Sequence, residues 1–274
     1  MSRDEYSDNR KFTVIEGGRG MSRQTGSVPQ QRIRQKVDDY MSRRDYDGVE
    51  RHLKYWLEEA NMVGDLRGAL MIRNEMIGHY RKVGDRDHAI ESADEAIRLL
   101  EELEYGESLT AGTTYVNIAT AYNAFSENEA SLQMFQKARE VYEQIEDTPP
   151  ELLGGLYNNM ALTCMSLGRF DEMEKLYNMA MDKMTYAPNG VLEQAITCLN
   201  MANGIEARKG LEAGEGEINE LVERALELLD MPSVPRDGYY AFVCEKCAPS
   251  FEYYGYFLAA EDLKERSRKI YERS

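Results

Sequence analysis

The segment 157–180, YNNMALTCMSLGRFDEMEKLYNMA, returns in altered form along most of the chain, and that recurrence limits the fold more than any other feature. Within it, Tyr157, Met160 and Cys164 fall three and four residues apart, the spacing of one face of a helix. Small Ala161 beside them lets a partner helix approach closely. Gly168 stands where this helix must stop, because glycine takes the left-handed cap conformation without a Cβ clash. The stripe then resumes with Phe170, Met173, Leu176, Tyr177 and Ala180. A single hairpin of this kind cannot bury its apolar face alone, so it needs neighbours.

The neighbours are written in the same chain. Moving back by about forty-two residues gives Tyr115, Ile118, Ala119 and Tyr122, then Phe135 and Ala138. A further step back gives Met76, Tyr80, Gly84, Ala89, Ala93 and Ala96. Forward of the first segment, Cys198, Met201, Ala202 and Ile205 lead to Ala225, and a looser copy runs from Cys244 through Phe251 and Gly255 to Ala260. The earliest copy holds Tyr40, Tyr46, Val49, Leu53 and Trp56. This pattern of aromatic, large-small pair, aromatic, glycine turn and small-aromatic-small resembles the tetratricopeptide repeat family. The long spacing is similar to the repeats of kinesin light chain and of peptide-pheromone receptors in Gram-positive bacteria. The run Asn158-Asn159-Met160-Ala161-Leu162 carries most of the likeness to kinesin light chain.

The resemblance implies an all-α fold, a right-handed α-solenoid of about six helix pairs. The approximate repeats are 30–62, 66–104, 111–146, 151–186, 191–230 and 239–274, preceded by a polar, glycine-bearing tail over 1–29 that is expected to be mobile. In that tail Phe12-Thr13-Val14-Ile15 is the apolar run, a candidate docking segment. Turns are expected at Asp47-Gly48, at Gly84-Asp85 and at Ser126-Glu127-Asn128, where Asn128 replaces glycine in the left-handed position. Asp147 or Thr148 should cap the fourth hairpin, with proline in its first turn. The glycine-rich stretch 208–216 reads as a turn stretched by about four residues, either slack spacing or a lip beside a binding site.

Composition narrows function by exclusion. The net charge is −16, and the tail holds five basic and four acidic groups, so the repeats carry −17. Such a surface disfavours nucleic acid, whose phosphates call for basic residues. No run of about 18 apolar residues exists to span a membrane, and the N-terminus lacks the apolar stretch of a secretion signal. Four cysteines without a disulfide framework point to the reducing cytoplasm.

Catalysis finds no motif. The three histidines, His52, His79 and His88, lie on separate predicted helices without metal-ligand spacing. Cys244 and Cys247 form a CxxC pair, yet they occupy the helix positions that face the core in the other copies, and no second pair completes a zinc site. No enzyme activity, metal or cofactor is therefore expected.

The recurrent polar feature is asparagine. Asn117, Asn159 and Asn200 occupy one position of three successive first helices, with Asn74, Asn123, Asn158 and Asn203 on neighbouring faces. In tetratricopeptide arrays first helices line a concave groove, and in kinesin light chain-like repeats matching asparagines hold a peptide backbone. The resemblance thus implies a peptide-binding row here, since an amide offers both donor and acceptor. The alternative is that these amides tie helices together. Val116, Thr120, Leu162, Met165, Ile196 and Leu199 would supply apolar pockets. Arg34, Arg81 and Lys82 lie toward one end of the row and Glu206 and Glu245 toward the other. The sequence reads as a cytoplasmic module binding a protein or peptide partner. The runner-up is a peptide-controlled sensor like the pheromone receptors without their DNA-binding domain. Tyr253, Tyr254, Tyr256, Phe257 and Tyr271 at the C-terminal end are candidate contacts for a homo-oligomer.

Overall fold

The computed structural model describes residues 26–273, which form twelve α-helices and no strand. They divide into two compact units that part at Asp147. The first unit holds α1 (Gln30–Ser42), α2 (Tyr46–Val63), α3 (Leu66–Val83), α4 (Arg86–Glu102), α5 (Leu109–Ala124) and α6 (Asn128–Gln144). The second holds α7 (Pro150–Ser166), α8 (Phe170–Met184), α9 (Gly190–Lys209), α10 (Leu211–Asp230), α11 (Gly238–Tyr253) and α12 (Phe257–Tyr271). In each unit successive helices pair as hairpins, and the first helix of each hairpin also touches the first helix of the next.

One local device builds most of the hairpins. Asp65 N–H donates to Ala60 O at 2.8 Å, Asp85 N–H to Tyr80 O at 2.9 Å, Arg169 N–H to Cys164 O at 2.8 Å and Tyr256 N–H to Phe251 O at 2.8 Å. These are the six-to-one bonds of a Schellman stop, in which the residue before the donor sits left-handed. Gly64, Gly84, Gly168 and Gly255 fill that place with φ between 71° and 86°. Elsewhere Arg44, Glu104 and Ser126 adopt it with φ of 57°, 54° and 63°. Ser126 therefore takes the role expected of Asn128, which instead begins α6. The first turn likewise falls at 43–45, ahead of Asp47-Gly48. Asp45 caps α2 by accepting from Gly48 N–H at 2.8 Å, and Gly48 lies inside the helix. A Cβ on Gly48 would meet the Asp45 carboxylate and the Tyr40 ring, so that position has no room for a side chain.

Two further expectations change. Val28, assigned by sequence to the tail, is buried, and its N–H donates to Asp65 Oδ2 at 2.9 Å. Asp65 thereby serves two jobs, since its other oxygen caps α3 through Gly68 N–H. The tail motif Phe12-Thr13-Val14-Ile15 lies outside the described residues. The glycine-rich stretch 208–216 is no loop. α9 runs to Lys209, Gly210 makes the break, and α10 starts at Leu211, each helix being 20 residues long. Gly214 is packed against Ile205, where an added Cβ would come within 2.8 Å. The extra residues lengthen both helices rather than the connection. The fourth hairpin opens with Pro149 at the cap position and Pro150 in the first turn.

The core of the first unit gathers Ile33, Val37, Val49, Leu53, Ile72, Ile77 and Tyr80 with the alanines of α4. That of the second gathers Leu192, Cys198, Val222, Leu229, Cys244, Cys247 and Phe251. Burial pushes the Cys198 thiol up to about 11 and the Cys247 thiol up to about 12, so these sulfurs act as small apolar groups.

Candidate functional site

The asparagines fall into rungs between first helices, one rung in each unit. In the first unit Asn74 Nδ2 donates to Thr114 Oγ1 at 3.0 Å and to Leu70 O at 3.0 Å. Its Oδ1 accepts from Asn117 Nδ2 at 2.8 Å, so the amide joins α3 to α5 in both directions. Thr114 in turn donates to Thr110 O at 2.8 Å. Asn74 and Asn117 remain half-buried. In the second unit Asn158 Nδ2 donates to Thr197 Oγ1 at 2.8 Å, and Thr197 donates to Glu193 O at 2.8 Å. The partners are the same residue types at nearly the same separation. Here, however, Asn158 is only 7 % exposed and Asn200 only 3 %, and the Oδ1 atoms of both are buried without a hydrogen-bond partner.

The remaining predicted side chains are half-buried on the first helices. Asn123 donates to Asn128 Oδ1 at 3.3 Å across the α5–α6 turn. Asn159 lies one residue beyond Asn158, half-buried. Arg81 occupies the last turn of α3, half-buried. Val116, Thr120, Leu162 and Met165 are half-buried as well, whereas Ile196 and Leu199 are buried. The reason is position: α9 is the middle first helix of its unit and touches α7, α8, α10 and α11. All residues from 195 to 200 are consequently covered.

A second polar group, missed by the sequence reading, joins α9 to α11 through tyrosines. Tyr253 donates to Glu206 Oε1 at 2.6 Å. The Tyr254 hydroxyl lies 2.8 Å from Asn203 Oδ1 and 3.0 Å from Glu206 Oε2. Tyr239 donates to Glu193 near the other end of α9. The bond to Glu206 pushes the Tyr253 phenol above its ordinary value, although Tyr253 is 57 % exposed. Phe257 and Tyr271 are also exposed, while Tyr254 and Tyr256 are half-buried. A tyrosine and a glutamate 47 residues apart carry no local signal, which is why pattern reading passed over the pair.

The histidines are less separate than their helices suggest. His79 and His88 both lie close to the Tyr80 ring, with centroids 5.1 and 5.0 Å away. Tyr80 donates to Glu50 at 3.2 Å, and Asp85 both caps α4 and holds His88 Nδ1 at 2.7 Å. Among the described residues no three histidine, cysteine or acidic side chains converge as a metal site would require. No helix of the described residues is long and apolar enough to cross a membrane.

No family model and no curated protein matches the sequence. Solved structures do. BtubC (BKLC) from P. vanneervenii is similar at a TM-score of 0.53 with 14 % identity, over 90 % of this chain and 92 % of that one. A putative kinesin light chain of Podosopora anserina with nearly identical TPR-like repeats gives 0.51 with 15 % identity, over 74 % of this chain and 95 % of that one. NprR, solved in complex with its cognate peptide NprX, gives 0.55 with 14 % identity, over 87 % of this chain and 66 % of that one. At such identities the likeness is one of fold, and it agrees with the repeated hairpins, their Schellman stops and the contacts between first helices. The chain is an all-α protein of tetratricopeptide-like helical repeats.

Proposed function

We propose that this protein is a non-catalytic, cytoplasmic interaction module that takes a protein or peptide segment along the first helices of its hairpins. The observation that carries the reading is the mixed surface that first helices leave half-exposed within each unit. Val116 and Thr120 flank Asn117 on α5, and Leu162 and Met165 follow Asn159 on α7. Apolar side chains with half-exposed amides between them suit an extended backbone whose own donors and acceptors must be met. The half-exposed amides Asn117, Asn123, Asn159 and Asn203 are the binding candidates, with Arg81 in the last turn of α3. Asn74 and Asn158 tie neighbouring first helices together, and Asn200 is buried. The acidic balance of the chain argues for a protein partner over nucleic acid. A second reading, a peptide-controlled sensor, draws support from the likeness to the peptide-bound NprR structure.

Selection of random peptides of about twelve residues on the full chain tests the proposal. Selected peptides should lose several-fold in affinity with Asn159→Ala and keep it with the second-helix control Gln133→Ala, while thermal unfolding stays unchanged in both. Failure to select any peptide, or binders indifferent to Asn159 and sensitive to second-helix changes, would refute the first-helix surface.

A further inference from the structure

We propose that Asn203, Glu206, Tyr253 and Tyr254, near the C-terminal ends of α9 and α11, form a site for one cationic side chain, the lysine or arginine of an extended peptide. The inference rests on the module reading above and names what one part of that surface would recognise. Its starting point is a carboxylate with no counter-ion among the described residues. One Glu206 oxygen accepts from Tyr253 at 2.6 Å, and the other shares the single Tyr254 proton with Asn203 Oδ1, at 3.0 and 2.8 Å, so its partners bring no charge. Cations lie close by in sequence and all point elsewhere. Arg208 pairs with Asp171 at 2.9 Å and Glu174 at 3.5 Å, and Lys209 pairs with Glu217 at 2.5 Å. On the facing hairpin Lys264 pairs with Glu252 at 2.6 Å, and Lys246 sits over the Phe242 ring.

The negative charge is also placed where the helix would resist it. Glu206 stands in the last turn of α9, where the carbonyl end of the helix already carries partial negative charge. A half-buried carboxylate there, held by tyrosine hydroxyls and with no cation against it among the described residues, is preorganised for one that arrives with a ligand. The tyrosines supply the rest of a cation's surroundings. Their rings meet edge to face at 5.0 Å, and Tyr253 is the more exposed, leaving a ring face on which an ammonium or guanidinium group can rest. Asn203 Oδ1, 2.8 Å from the Tyr254 hydroxyl, adds a neutral acceptor. The wider field points the same way. Residues 101–274 hold 31 acidic against 15 basic side chains, whereas residues 1–100 hold 18 of each, so the net charge of the chain lies in its later part. That field would draw a basic segment toward α9 and α11.

The competing explanation is a purely structural clasp that fastens α11 to α9. Glu206→Gln separates the two, because the amide oxygen still accepts from Tyr253 and the amide N–H can donate to the Tyr254 oxygen, whose own proton goes to Asn203 Oδ1, so the clasp is kept and the charge is lost. The probes are blocked peptides of alanine and glutamine with one central arginine or its neutral isostere citrulline. Binding is read from the ring resonances of Tyr253 and Tyr254 in the full chain. On the wild type the arginine peptide should bind about tenfold more tightly than the citrulline peptide. Glu206→Gln should erase that preference, and Glu220→Gln, an equal charge change on exposed α10, should leave it intact. Equal binding of the two peptides by the wild type, or the same loss with Glu220→Gln, would overturn the site. Selected peptides that bind through Asn159 but ignore the arginine-to-citrulline exchange would overturn this site alone. Arginine-dependent binding here with no longer peptide ever selected would keep the site and sink the broader module.

Discussion

The two asparagine rungs use nearly the same residues and end up in different environments. In the first unit Asn74, Thr114 and Asn117 close a bonded circuit that is still half-open to solvent. In the second, Asn158, Thr197 and Asn200 lie inside the protein, with one donor bond made and two amide oxygens unmatched. A half-exposed amide can satisfy its leftover valence with water, so its bonds contribute little net stability. A buried amide has no such recourse, and its one good bond and its unmet oxygen both count in full. Similar sequence therefore encodes a modest tie in one unit and a high-stakes one in the other.

The sharpest way to break this comparison is to remove one amide from each rung. Asn158→Ala should cost about 2–3 kcal/mol in urea unfolding, from the lost bond to Thr197 and the void left behind. Asn74→Ala should cost about 1 kcal/mol, because water replaces part of what is lost. Equal costs would mean that the two rungs do the same job despite their burial.

A smaller effect sharpens the same point from the other side. Asn200→Leu replaces a buried, unmatched acceptor by an apolar group of similar size and should be neutral or stabilising by up to about 1 kcal/mol. Asn117→Leu removes the donor that meets Asn74 Oδ1 and should destabilise by about 1 kcal/mol, as read by thermal melts. A large loss with Asn200→Leu would show that its amide is bonded in solution after all.

The smallest difference concerns acid. All three histidines and the one tryptophan lie in the first unit, and Trp56 is 6.4 Å from His52. Burial holds His52 below the ordinary histidine value of about 6.5, opposed by its bond to Ile33 O and assisted by Lys36. A histidine depressed in the folded state binds protons more readily when unfolded. Its stabilising share is thus complete above pH of about 6.5 and shrinks as pH falls from there toward the folded value. The carboxylates held low, such as Glu50 and Glu95, lose their share only in the more acidic range through and below their ordinary values. Between roughly pH 7.5 and 5.5 the Trp56 fluorescence midpoint in urea should fall, and His52→Gln should flatten that fall. Amide protection in α9, after correction for the base-catalysed intrinsic exchange rate, should not change over the same range.

Much of the fold was legible because its signals are local. The stops at Gly84, Gly168 and Gly255 each needed only one residue able to sit left-handed at the end of a periodic stripe. Cys244 and Cys247 read as core from their register within a single helix, and both are buried. The misreadings share a cause as well. Ser126 serves in place of Asn128, and Gly214 sits inside a helix, because a hairpin tolerates several residues at its bend and absorbs added length along its helices. The candidate site was legible only in kind. Spacing put asparagines on first helices, but spacing is indifferent to what covers a face.

What this sequence determined by itself is the list of helices, their pairing into hairpins and the residue types that bridge one first helix to the next. Only the tertiary structure decided that Asn158 and Asn200 are inside, that Val28 belongs to the core and that Glu206 meets two tyrosines from α11. Helical periodicity arises within a few residues of chain, whereas burial and charge pairing depend on elements that arrive from about forty residues away.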